Sequence, residues 1–357
     1  MPAHLFEPLT LRDVTLRNRI AVSPMCQYSS EEGFASDWHL VHLGRFASGG
    51  AALVFTEAAA VEARGRISPQ DLGIYDDAHV EMLGRITRFI ESQGAAAGIQ
   101  IAHAGRKAST ARPWDGGGPI GPEQGGWSPV VGASPIPFTQ GWQTPHALSE
   151  EEIGEVVRAF GRATRRSLDA GFHFVEIHGA HGYLLHSFYS PLSNRRDDRY
   201  GGSFENRTRI VREVVEEVRR HWPERLPLFL RISSTDWTEG GWDVEQSVEL
   251  ARMVKPLGVD LIDCSSGGNV ASAQIPAGPG YQTTFANRIR HDADIATGAV
   301  GMILSPEQAD HILRSGQADL VLLARQMLRD PNFAIRAGYA LHKQPWVPPQ
   351  YQRAWPG

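Results

Sequence analysis

A chain of 357 residues, 41% of them from the AVILMFWYC set and 21% charged, has enough apolar material for a large core and lies outside the disordered composition class. Its formal charge of -5 offers no basic field for nucleic acid or anionic lipid. Cys26 and Cys264, the two cysteines, are too few for a disulfide framework and too far apart for a zinc knuckle.

Residues 1–8 hold no basic run leading into an apolar one. No stretch of the sequence reaches the ~18 apolar residues of a membrane span. The expected location is therefore cytoplasmic, with both thiols reduced.

In chain order, the first short apolar run is 20–22. A unit then recurs in which an amphipathic helix ends at glycine, an apolar run follows, and a polar residue closes it. Gly50 leads into run 53–57 and Gly94 into run 98–103. The stretch 108–147 is rich in Gly, Pro and Trp, which suits an irregular loop or lid better than a regular layer. Ser149 with Glu152 has capping-box spacing and starts a helix that ends at Gly171, before run 174–178. Runs 228–232, 261–264 after Gly258, and 294–297 come next. Ser305, Pro306 and Gln308 open a further helix, which ends at Gly316 before run 320–325.

A short continuous apolar run suits a strand buried on both faces, and a terminal glycine lets each helix stop in the left-handed conformation. Eight such runs predict an α/β chain folded as a (β/α)8 TIM barrel. It would form one domain over 1–357, with an insertion at 108–147 after the third strand and a tail at 344–357. The tail is rich in Pro and aromatics and is expected to dock. Gly116, Gly118 and Gly121 fit the spacing of a dinucleotide loop. No buried strand leads into them and Pro119 and Pro122 interrupt them, so no Rossmann unit is expected.

Working residues of parallel barrels sit at the C-terminal ends of the strands. The candidates are Ser23, Pro24, Met25 and Cys26, then Glu57 and Ala58, Gln100 and His103, and the segment His178 to Tyr183. Arg231, residues 265–268 and 298–301, and Ala324 with Arg325 complete the set. Glycines near the last exits let backbone N–H groups approach a phosphate. His178 and His181 alone are compatible with a structural pair or with metal ligands. A zinc site, however, wants a third protein ligand, and the glutamate of HExxH is missing. His39 and His42 share that spacing on a helix, where a solvated or capping role is expected. Arg231 interrupts an apolar run and demands a buried partner or a ligand.

Three segments carry a resemblance. Ser23-Pro24-Met25-Cys26-Gln27-Tyr28 and His178-Gly179-Ala180-His181-Gly182-Tyr183-Leu184 are similar to loops of the Old Yellow Enzyme family of FMN oxidoreductases, in its thermophilic-like subgroup. The run from Ser190 to Arg207 resembles the signature of that family. The matches run in order from Phe6 to Trp355.

The resemblance implies FMN across the barrel mouth, over Ser23, Pro24, Met25 and Cys26, with its polar edge read by Ala58 and Gln100. It implies Arg231 beside the pyrimidine end and Gly301, Ala324 and Arg325 at the phosphate. His178 and His181 would donate hydrogen bonds to the carbonyl of an enone or enal, Tyr183 would supply a proton, and Tyr28 would line the pocket. NADPH or NADH would be the reductant, no metal is implied, and Cys26 would tune the flavin without acting as a nucleophile. The tail implies a homodimer or homotetramer in which Arg353 completes a neighbouring site. Two positions depart from the family: Ala324 stands where Gly is usual, and Val300 where some relatives have Trp. A Schiff-base lyase would need a lysine at a strand end, and the eight runs provide none. A hydroxy-acid oxidase with a single histidine base and a non-catalytic barrel are the remaining alternatives.

Overall fold

The structure, a computed structural model, describes residues 4–355; the last two residues of the expected tail and the first three of the chain lie outside it. Eight parallel strands close into a barrel in chain order: β1 (Ile20–Val22), β2 (Leu53–Ala60), β3 (Ala96–Ala102), β4 (Phe174–Gly179), β5 (Leu228–Ser233), β6 (Leu261–Ser265), β7 (Ala296–Ala299) and β8 (Leu320–Leu323). Each corresponds to one of the eight runs. The strand ends lie within three residues of the runs, and two of the shifts have a local cause. β7 starts two residues late because Asp294, at φ +50°, ends the preceding helix Thr283–Ala293 in the left-handed conformation that glycine supplies elsewhere. β8 stops before Ala324, and Arg325 opens a short helix, Arg325–Arg329.

Strand residues alternate between the barrel interior and the surrounding helices. Inside, Leu53, Phe55, Phe174, Phe229, Leu261, Leu320 and Leu322 form one apolar cluster, in which the Phe229 ring lies 5.3 Å from Phe174 and 5.9 Å from Phe55. Two residues further along β4, β5 and β6, the same inward phase places Glu176, Arg231 and Asp263, and Gln100 of β3 lies in register with Glu176. The interior thus changes from apolar to polar just below the C-terminal mouth. At the opposite end a hairpin, Leu9–Leu11 with Val14–Leu16, packs Leu16 onto the apolar cluster. The sequence reading did not foresee it.

Strands β2 and β3 lose regular register between Phe55 and Ala58: Phe55 pairs with Gly98, but Ala58 pairs with Gln100. Three steps on one strand match two on the other, a bulge. Phe55 and Ala58 therefore both face inward, and Glu57 turns outward.

The insertion is less irregular than expected. Val131–Gly132 pairs in parallel with His146–Ala147, and its base is fixed where Ser109 Oγ accepts from Trp127 N at 2.8 Å and donates to Ile120 O at 2.8 Å. Its outer glycines, Gly116, Gly117, Gly118, Gly121 and Gly125, face open space. The tail docks on its own chain: Trp355 stacks on Tyr339 at 5.6 Å and Arg17 lies 4.2 Å over Trp346. Among the described residues no helix is long and apolar enough to cross a membrane.

Candidate active site

His178 is the next-to-last residue of β4, and the turn after the strand brings His181 and Tyr183 back beside it. The His178 ring lies 5.1 Å from each of the other two. The turn is forced: His181 and Gly182 have φ of +63° and +74°, and a Cβ on Gly182 would sit 2.2 Å from the Gly268 carbonyl oxygen. Four contacts hold it. Ser233 Oγ accepts from His181 N, Lys107 Nζ donates to the carbonyls of His181 and Gly268, and Gly182 N donates to His186 Nδ1. His186 in turn donates from Nε2 to Asp236, which is fully buried.

His178 Nδ1 accepts from Ala180 N at 3.3 Å, which leaves the proton on Nε2 as a donor. His181 Nε2 lies 2.7 Å from Ser265 Oγ. Burial, then the Arg231 guanidinium, holds both imidazoles well below the usual histidine range, so both are neutral. Burial also pushes the Tyr183 phenol well above its ordinary value, and it keeps its proton. The Lys107 ammonium, 5.0 Å from the Tyr183 ring, is pulled down to about 7 by burial and by Arg106.

Beneath this cluster lies the polar layer. Arg231 Nε is 3.0 Å from Asp263 Oδ2 but is not aligned for a hydrogen bond, and Gln100 Nε2 donates to Glu176 Oε1 at 2.7 Å. The partner that Arg231 required is therefore Asp263. Burial and the neighbouring Asp263 raise the Glu176 carboxyl. Among the described residues, several buried polar atoms have no hydrogen-bond partner: Ser23 Oγ, Arg231 Nε, Glu176 Oε2 and Thr297 Oγ1. Such atoms are costly unless something polar meets them.

A cavity of about 240 Å³ runs from Arg231 and Ser265 past Gln282, Val300 and Gly301 to Arg325 and Arg329. It has a polar inner end and two guanidiniums at its outer end, which suits a ring with amide edges joined to a phosphate. Ala324 has φ -104° and ψ -98°; the negative φ means that no left-handed backbone demands glycine at this position. On the other side of the mouth, burial and then the charges of Asp71 and Glu57 push the half-buried Cys26 thiol well up, which disfavours the nucleophilic thiolate. Tyr28, at φ +52°, meets the edge of Trp114 from the insertion at 5.7 Å.

Not every candidate joins the site. His103 binds Glu62 Oε2 through Nε2 and accepts from Gly105 N through Nδ1, a loop-fixing role. His39 and His42 are buried, against the solvated reading, although His39 does cap its helix by accepting from Ser36 N. Arg353 is exposed on the tail. Sequence reasoning missed Lys107, His186 and Asp236. The run Gly105-Arg106-Lys107 directly after β3 was the available signal for the first; the other two carry none.

The whole chain is similar to known proteins. Residues 4–344 match the NADH:flavin oxidoreductase / NADH oxidase family. An NADPH dehydrogenase of Bacillus subtilis (strain 168) is 45% identical over 357 residues, covering 99% of this chain and 100% of the relative. Morphinone reductase has the same fold, with a TM-score of 0.80 at 23% identity, over 98% of this chain and 92% of that one. 2-Naphthoyl-CoA reductase gives a TM-score of 0.83 at 24% identity over 95% of this chain; this chain spans 52% of it. The chain belongs to the NADH:flavin oxidoreductase / NADH oxidase family, of the Old Yellow Enzyme type, and is an FMN-dependent NAD(P)H oxidoreductase.

Proposed function

We propose that this enzyme reduces the activated C=C bond of α,β-unsaturated ketones, aldehydes and imides. The observation that carries the reading is the grouping of the neutral His178 imidazole with the neutral His181 imidazole and the protonated Tyr183 phenol, each 5.1 Å from it, above the polar layer. FMN fits the residues present: Ser23, Pro24, Met25, Cys26 and Ala58 on one side, Gln100 and Arg231 at the polar edge, and Gly301, Ala324 and Arg325 at the phosphate. When bound, FMN takes hydride from NADPH or NADH and passes it to an electron-poor carbon.

The guanidinium of Arg231 places a permanent cation where negative charge gathers on reduction. His178 Nε2–H and the His181 ring hydrogen-bond the substrate carbonyl oxygen and stabilise the charge that develops there, which makes the β-carbon an acceptor. Neutral imidazoles suit this task, since they donate without surrendering a proton to the enolate. Tyr183, still protonated, delivers its proton to the α-carbon. Tyr28 lines the pocket.

Stopped-flow absorbance of Tyr183→Phe tests this. Reoxidation by cyclohexenone falls by roughly 10²–10⁴, the range for a lost general acid, while reduction by NADPH stays near wild type. Equal reoxidation rates would remove Tyr183 from the mechanism.

The proposal extends to the assembly, a homodimer or homotetramer in which Arg353 reaches a neighbouring copy's pocket. Supporting it, Tyr351 and Arg353 are exposed while Trp346 and Trp355 fix the tail on either side. Deleting residues after Gln350 then raises the enone KM and shifts the oligomeric state in sedimentation. Unchanged values for both would leave the tail as packing alone.

A further inference from the structure

The bulge in β2 sends Glu57 away from the barrel interior, into a pocket where it and His39 are each 2% exposed. Glu57 Oε2 accepts from the backbone N–H of Gln27 at 2.9 Å, and Glu57 Oε1 lies 3.2 Å from His39 Nε2. The His39 tautomer follows from its other nitrogen. Nδ1 accepts from Ser36 N at 2.9 Å, so Nε2 carries the proton; its hydrogen-bond partner is Ser30 Oγ at 3.3 Å, and its approach to Glu57 Oε1 is a close polar contact that is not aligned for a hydrogen bond. One carboxylate thus ties three elements together: the exit of β2, the N-terminus of helix Asp37–Ser48, and the loop after β1 that bears Cys26 and Tyr28.

We propose that Glu57 and His39 are positioning residues, a buried two-point clasp that sets the place of loop 26–28 against the flavin. This rests on the reading that loop 26–28 contacts FMN. Neither residue touches the reacting atoms in that reading; each acts through the loop.

The clasp has an electrostatic side as well as a mechanical one. Asp71, Tyr28 and Cys26 are the other titratable groups of this pocket. Burial and the charge of Glu57 raise the Asp71 carboxyl to about 7. The same Glu57 charge acts on the Cys26 thiol, against a hydrogen bond from the Ala58 backbone that opposes it. Glu57 therefore fixes the loop and helps keep its thiol protonated.

Two variants separate these effects. In Glu57→Gln, the amide oxygen still accepts from Gln27 N, but an NH2 group replaces the carboxylate oxygen 3.2 Å from the protonated His39 Nε2, and the negative charge is gone. In His39→Asn, the shorter side chain no longer reaches Glu57, and the charge remains. The holoenzymes are treated with iodoacetamide over a range of pH, labelling at Cys26 is followed by peptide mass spectrometry with buried Cys264 as the internal control, and FMN dissociation and midpoint potential are measured alongside.

Glu57→Gln is expected to alkylate Cys26 several-fold faster at neutral pH and to raise the flavin midpoint potential. His39→Asn is expected to weaken FMN binding several-fold without lowering the thiol's titration midpoint. A Glu57→Gln enzyme that keeps its flavin with labelling and potential both unmoved overturns the clasp. Should that variant not fold, His39→Asn decides alone, and FMN affinity equal to wild type overturns it. If alkylating wild-type Cys26 leaves the visible spectrum of bound FMN unchanged, the placement of the loop beside the flavin fails instead, a result distinct from failure of the clasp.

Discussion

Removing the carboxylate of Asp236 should cost more stability than any single contact at the barrel mouth. Asp236 is fully buried and accepts three hydrogen bonds: from His186 Nε2 at 2.9 Å, Ser190 Oγ at 2.6 Å and Trp242 N at 2.9 Å. In Asp236→Ala all three donors lose their acceptor in a dry site, and each such orphan costs about 1–3 kcal/mol. Ser190 can rotate its hydroxyl, because it also accepts from Asn269 Nδ2, so the sum of three such orphans is tempered to about 3–5 kcal/mol. Urea unfolding at fixed, saturating FMN should show this as a lower midpoint with an unchanged slope. Because His186 also holds Gly182 N, the enone KM should rise as well. The acid limb adds a check. Burial pushes this carboxyl up, but His186, Ser190 and Trp242 outweigh it and leave it below the ordinary value. Its stabilisation is therefore present above the unfolded value near 3.8 and is lost as pH falls through the lower folded one, a loss the alanine variant should lack. A cost below about 1 kcal/mol would refute the reasoning, since it would mean that water replaces the carboxylate without penalty.

Two further perturbations follow from the geometry. Asp71, raised to about 7, binds a proton in the fold that the unfolded chain has released above 3.8, so its contribution declines as pH rises toward and through 7; Asp71→Asn, whose amide can still meet Ile67 N and Ser68 Oγ, should flatten that decline in thermal-shift scans. Gly182→Ala places a methyl group against the Gly268 carbonyl at a positive φ, and should cost about 1–3 kcal/mol while raising the enone KM more than it weakens FMN; wild-type kinetics would show that the turn relaxes freely.

The eight strands were legible because doubly buried parallel strands are short unbroken apolar runs, and five of the preceding helices end at a glycine with positive φ. What the runs concealed was phase. Both faces being apolar, only interruptions such as Gln100 and Arg231 betray which side faces inward, and Glu176 and Asp263 read as run members until the register was known. The hairpin at the barrel base escaped because two three-residue strands give too little alternation to detect. The spacing suits a solvated or capping His39, and it does cap its helix; its burial against Glu57, which a strand bulge swings toward it, is encoded by no local pattern. The loop segments of the site were legible as a family resemblance, whereas the remote support through His186 and Asp236 was not.

The insertion has an anchored base and a rim whose glycines meet nothing, and Trp114 at that rim touches Tyr28. Residues there can be exchanged with little penalty to folding, provided that those at positive φ remain glycine or become asparagine or aspartate. For anyone testing the proposed substrate scope by directed evolution, this rim is the segment to randomise first: mutations in it reach Tyr28 while the barrel beneath stays as it is.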